Sequence, residues 1–119
     1  FIYDGLYNDS RYEVISKSKI SLCIHLDENK YFNQHRIFES IAAGTAVISE
    51  QSGSLDNYEI CVDEHIIIRK RDQIPEACRD LLFDSSLRVA LQRNSQGLLR
   101  KKFLTELWVD KMLEVFEAI

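Results

Sequence analysis

The chain is 119 residues long, 45% hydrophobic and 29% charged, with a formal net charge of −4. That length suits a single domain, residues 1–119, with one ordinary core, and the composition excludes a disordered tail. The acidic balance argues against nucleic acid or an anionic membrane surface as partner, and no apolar run approaches the ~18 residues of a membrane span.

The chain opens on Phe1 with neither a basic nor an apolar leader, as expected of a processed product or an excised piece. "FIYDG" reads as a short β-like run closed by Gly5, and "SRYEVISKSK" from Ser10 as a helix with Tyr12, Val14 and Ile15 at rough helical spacing. "ISLCIHL", residues 20–26, is a nearly continuous apolar run of strand length, as expected of a parallel strand covered on both faces. A polar loop follows, then a helix from Gln34 to Ala43 that ends at Gly44, a residue suited to the left-handed position after a helix. "TAVIS" (45–49) and "HIIIR" (65–69) are two further strands, separated by a loop with one helical turn at 55–58. From there the pattern is helical. Pro75 sits in the first turn of one helix, a serine cap opens the next near Ser85, and Leu104, Trp108, Met112, Val115 and Ile119 form a stripe on the last. Cys23, Cys61 and Cys78 are odd in number, widely spaced and without a C-x-x-C pair; they predict reduced thiols and a cytoplasmic protein. Strands alternating with helices predict an α/β fold with a parallel sheet.

The stretch "NQHRIFESIAAGTAVISE", residues 33–50, concentrates the chemistry. At 100° per residue, Ile37, Phe38, Ile41 and Ala42 span an arc of about 140° and predict the buried stripe, with Arg36, Glu39, Ser40 and Ala43 opposite. His35 and Arg36 fall in the first turn, beside unpaired N–H groups and the positive end of the helix dipole, a ready phosphate site. Arg36 can fork onto a phosphate oxygen, and Glu39 can accept from ribose hydroxyls. The same two residues are also an i,i+3 pair of opposite sign, which often only decorates a surface. His25 at the end of its strand reads as a satisfied core or rim histidine, His65 as strand-edge surface, and "RKR" (69–71) and "RKK" (100–102) as solvated faces. His25, Asp27, Glu28 and His35 lack metal-ligand spacing. No dinucleotide fingerprint, P-loop or nucleophile elbow is present.

"RIFESIAAGTAVISE" resembles the R-x-F-E-a-x-A-x-G-x-x-V-x-s-e segment of the GT-B glycosyltransferases, specifically the group-1-like C-terminal domain, with Arg36, Phe38, Glu39, Ala42, Gly44 and Val47 in place. The likeness runs from about Tyr12 to the C-terminus. It implies a three-layer Rossmann-like parallel sheet with C-terminal helices, a truncated half of a GT-B fold. It further implies a nucleoside-diphosphate-sugar donor, bound here, and an acceptor held by a missing N-terminal half. The resemblance puts the donor diphosphate on His35, Arg36 and Ile37, the ribose on Glu39, and the sugar near Asn33 and Gln34. It implies no metal cofactor, in keeping with the lack of a D-x-D pair. Two departures stand out: Tyr31 occupies the first position of the E-x7-E pair, and "FNQH" replaces a glycine-rich turn. Two preceding β-α units are absent, so the chain reads as an inactive part of a larger enzyme, prone to self-association through the 20–26 strand and the terminal stripe. A non-catalytic Rossmann-like or receiver-like interaction domain is the alternative.

Overall fold

The computed structural model describes residues 5–25, 33–53 and 58–119. Their elements run α1 (Asn8–Lys17), β1 (Ile20–Cys23), α2 (Gln34–Ala42), β2 (Ala46–Glu50), β3 (Ile67–Arg69), a 3-10 turn (Arg71–Gln73), α3 (Ile74–Phe83), α4 (Ser85–Lys102) and α5 (Thr105–Glu117). The three strands are parallel in the order β1-β2-β3, with Ile20 beside Ala46 and Ile48 beside Ile67. The predicted strand of residues 1–5 lies almost wholly outside the described residues, as do Tyr31, Asp27, Glu28 and most of the predicted turn at 55–58.

Central β2 is buried at all five positions, as a strand covered on both faces must be. Its side chains alternate between two cores. Val47 joins Cys23, Ile37, Ile41, Ile60 and Ile66 under α2. Ala46 and Ile48 join Ile67, Ile74, Ala77, Leu81 and Leu91 under α3. The result is the expected three layers. The long helix α4 ties the layers together: Leu91 packs in the α3 core, while Leu98 and Leu99 reach the α2 core. It crosses at the back of the sheet, since Asn94 Nδ2 donates to the Glu64 carbonyl 3.1 Å away and Gln96 lies against Gly44. Its C-terminal end reaches round to α2 and the 58–59 segment, Phe103 packing on Phe38 and Lys102 pairing with Glu59.

Local chemistry accounts for the boundaries. Gly44 has φ +81°, and the N–H groups of Gly44 and Thr45 donate to the Ile41 and Ser40 carbonyls in a Schellman arrangement that closes α2. Asp84, not a serine, caps α4: its carboxylate accepts from Leu87 N–H at 2.8 Å, and Ser85 is the first helical residue. β3 begins at Ile67, and His65 lies in the preceding turn, where its Nδ1 accepts from Cys61 N–H at 2.9 Å. The α2 stripe is rotated from the predicted one. Ser40 is buried and Ala42 exposed, because Ser40 Oγ meets Ser21 Oγ of β1 at 2.7 Å and α1 runs alongside, Tyr12 donating to the Ala42 carbonyl. α5 buries no residue and is exposed at every position but half-buried Leu107, and the molecule extends to 52 Å in its longest direction.

Candidate functional site

α2 runs antiparallel to the strands, so its first turn stands at the edge where β1 and β2 end, the usual ligand crevice of open α/β sheets. Asn33 is the cap: its Oδ1 accepts from Arg36 N–H at 3.4 Å, and Ile37 N–H donates to the Asn33 carbonyl at 3.2 Å. The Gln34 and His35 amides, which a helix start leaves without intrahelical acceptors, have no hydrogen bond among the described residues. The first turn therefore holds two available donors, one capped donor and one amide engaged within the helix. Ile37 is fully buried, so it anchors this turn to the core.

His35 and Arg36 are exposed, and neither side chain makes a hydrogen bond or ion pair among the described residues. Arg36 nevertheless lies close enough to Cys23 at the end of β1 to oppose the effect of burial, which pushes that thiol up to about 11. The guanidinium thus has no charge partner among the described residues. Gln34 Oε1 accepts from the Tyr58 hydroxyl. Glu39, one turn further on, does not pair with Arg36. Its Oε1 accepts from Arg11 Nε at 3.0 Å and Nη2 at 2.8 Å, an ion pair between neighbouring helices. Arg11 lies 28 residues away in sequence, so no local pattern announces the contact.

A second polar group escaped the sequence reading. Glu50 closes β2 with only 3% of its surface exposed. Its carboxylate takes Arg71 Nε at 2.8 Å, Arg71 Nη2 at 3.1 Å and the His25 N–H at 3.0 Å. Arg71 Nη2 also donates to the His25 carbonyl at 2.7 Å. The Arg71 guanidinium, helped by the His25 N–H, holds the Glu50 carboxyl below the ordinary carboxylate range against the effect of burial. The "RKR" run is solvated at Lys70 and Arg71 as expected, but two of its charges are engaged: Arg71 pairs with Glu50, and Arg69 with Asp63 at 2.9 Å. The available signal was Glu50 itself, a charge continuing a buried strand. His25 is also unlike the expected satisfied histidine: it is 8% exposed, and its Nε2 is buried without a partner among the described residues. Among the described residues no three His, Cys, Asp or Glu side chains gather as a metal set, and no helix is long and apolar enough to cross a membrane.

No curated protein matches the chain. Among solved structures, it is similar to the C-terminal domain of a glycosyl transferase group 1 family protein (LpcC) from Francisella tularensis. The TM-score is 0.65 and the identity 25%, over 88% of this chain and 52% of that one. The chain thus spans about half the length of the structure it matches. The fold is accordingly that of the C-terminal domain of a GT-B glycosyltransferase. A family model described as glycosyl transferase-like matches residues 3–114, nearly the whole sequence. The chain belongs to this glycosyl transferase-like family.

Proposed function

We propose that this chain is the nucleotide-sugar-binding part of a glycosyltransferase, moving a sugar from a nucleoside diphosphate to an acceptor held by the rest of a longer protein. The observation that carries this reading is the first turn of α2. There the Arg36 guanidinium, without a charge partner among the described residues, follows the unspent Gln34 and His35 amides at the sheet edge where β1 and β2 end. In this reading the diphosphate sits on those amides, with Arg36 on its oxygens. The charge that develops on the departing diphosphate meets a fixed dipole and a guanidinium, so a divalent cation is not required for binding. Glu39 Oε2, which has no partner among the described residues, faces the ribose while Arg11 steadies Oε1. Asn33 acts on the sugar side only indirectly, because its side chain is the helix cap. The exposed apolar surface of α5 supports contact with the remainder of the longer protein, and the odd, scattered cysteines support a cytoplasmic setting.

Calorimetric titration with UDP, GDP and ADP tests the reading. One of them is expected to bind, with Arg36→Ala weakening it about tenfold, the cost of one charge-assisted contact, and EDTA leaving it unchanged. Binding that is indifferent to Arg36→Ala, or that vanishes with the chelator, overturns it. The Arg11 pair favours a second reading, in which Glu39 is purely structural. Glu39→Gln separates the two: the structural role lowers the unfolding midpoint and leaves nucleotide affinity untouched.

A further inference from the structure

The corner between α3 and α4 is firmly built and still leaves apolar side chains in water. Asp84 caps α4, its Oδ1 accepting from Leu87 N–H at 2.8 Å, and Arg88 Nη1 donates back to the Leu81 and Leu82 carbonyls at 2.6 and 2.5 Å. These bonds tie the last turn of α3 to the first turn of α4. Phe83, the last residue of α3, is nevertheless 86% exposed, and Leu82 and Val89 are about half exposed. One apolar side chain in water needs no explanation, but a cluster beside a hollow does.

The outer side of α4 supplies the hollow. At 100° per residue Ser86, Val89, Ala90 and Arg93 fall within an arc of about 100°, and all four are exposed. With Ser85 they line an open depression of about 350 Å³. The Arg93 guanidinium, at one end of it, makes no hydrogen bond or ion pair among the described residues.

This stripe complements itself when reversed. If two copies of α4 lie antiparallel and centred on residue 88, Ser86 meets Ala90 and Phe83 meets Arg93. Each pair then occurs twice, as a two-fold contact requires. Small side chains in the middle let the axes come to the close end of the usual separation of about 8–10 Å. At both ends a guanidinium meets an aromatic ring, with the Asp84 carboxylate next to it in sequence. Arg88 lies on the other side of the helix and is engaged by the α3 carbonyls, so like charges do not meet at the axis.

We propose that the α3–α4 corner is a contact surface for a second copy of this chain, an antiparallel pair of α4 helices in which each Phe83 ring packs into the 86–93 hollow of the other copy. The corner stands at the opposite end of α3 from the 3-10 turn, where Arg71 and Glu50 clamp the His25 backbone. Pairing therefore leaves the candidate site open, and it does not rest on the donor reading.

The test uses the chain carrying Trp108→Ala and Met112→Ser, which removes association through α5. Sedimentation velocity over a range of concentrations is expected to show a monomer–dimer equilibrium. Phe83→Ser should weaken it about thirtyfold, the loss of an aromatic anchor, and Arg93→Gln about fivefold. Thermal midpoints of the monomers should not change, because both side chains are exposed there. Mixing a Ser86→Cys chain with an Ala90→Cys chain under mild oxidation should give the 86–90 linked peptide, read by mass spectrometry, in greater yield than any link formed by either chain alone. A dimer indifferent to Phe83→Ser, or cross-linking with no preference for the 86–90 pair, overturns the proposal. So does a monomer at every concentration, which would leave the corner to a different protein.

Discussion

α2 drives Ile37 and Ile41 into the sheet until neither retains meaningful exposure, whereas α5 keeps Trp108, Met112, Val115 and Phe116 in solvent, from 53% exposed at Trp108 to 66% at Phe116. Both helices carry apolar residues at helical spacing, and both begin without an acidic cap side chain. What separates them is the neighbourhood. α2 follows β1 and precedes β2, so its apolar side has a strand pair directly beneath it. α5 follows α4 at the far end of the chain, after both faces of the sheet have been taken. An amphipathic pattern therefore states that a face needs covering, and the topology decides whether this chain supplies the cover. The cation-π contact of Lys111 with Trp108, 5.5 Å from the ring centroid, is a partial remedy that leaves most of the stripe bare.

The largest effect expected from this contrast is on stability. Ile37→Ala removes a fully buried side chain beneath the first turn of α2 and should cost about 3 kcal/mol, while Trp108→Ala should cost less than about 0.5 kcal/mol. Chemical unfolding of the two variants measures both, and comparable losses would show that α5 has a covered face after all. The same Trp108→Ala change, combined with Met112→Ser, should lower the mass seen by light scattering at high concentration, because bare stripes and the exposed Leu22 of β1 and Ile24 just beyond it favour association.

Acid gives the next effect. Because the folded-state carboxyl of Glu50 titrates lower than its unfolded counterpart, its contribution is complete above the ordinary carboxylate range and disappears as pH falls through the depressed value. Thermal midpoints should therefore drop on acidification below about pH 4.5, and Glu50→Gln should flatten that drop. Helicity arising from α5 should respond least, since nothing in that helix is buried. An acid limb that is unaltered by Glu50→Gln would mean that other carboxylates carry it.

The smallest effect needs no substitution. Cys23 is buried, with its thiol pushed up to about 11, while Cys61 is exposed. At pH 8 iodoacetamide should modify Cys61 first and leave Cys23 unmodified in the folded protein, as read by peptide mass. Labelling of Cys23 at the rate of Cys61 would place the α2 core among loosely packed regions.

The parts legible in the sequence are those governed by local rules. The bounds of α2 come within one residue, since they depend on Gly44 and an apolar period, and the buried β2 is visible as a short β-branched run. The first turn of α2 was also legible as a charged helix start. The rotation of α2, which buries Ser40 and exposes Ala42, was not, because it depends on Ser21 and Tyr12 meeting that helix from other elements. Likewise the partners of Glu39 and Glu50 lie 28 and 21 residues away. Charge pairing across such separations leaves no periodic trace, and both acidic residues therefore looked either local or unremarkable.

The clamp at the end of β1 has a consequence for synthesis of the chain. His25, Glu50 and Arg71 come from three segments that leave the ribosome one after another, and all parallel pairing here waits on a crossover. While the chain is available only as far as Glu50, that carboxylate has its backbone donor but not its guanidinium. The sheet edge that forms the candidate site therefore closes late, once the 3-10 turn has been made. The charge that Glu50 brings into the interior is neutralised at that same step, before Ile74, Ala77, Leu81 and Leu91 of α3 and α4 complete the second core.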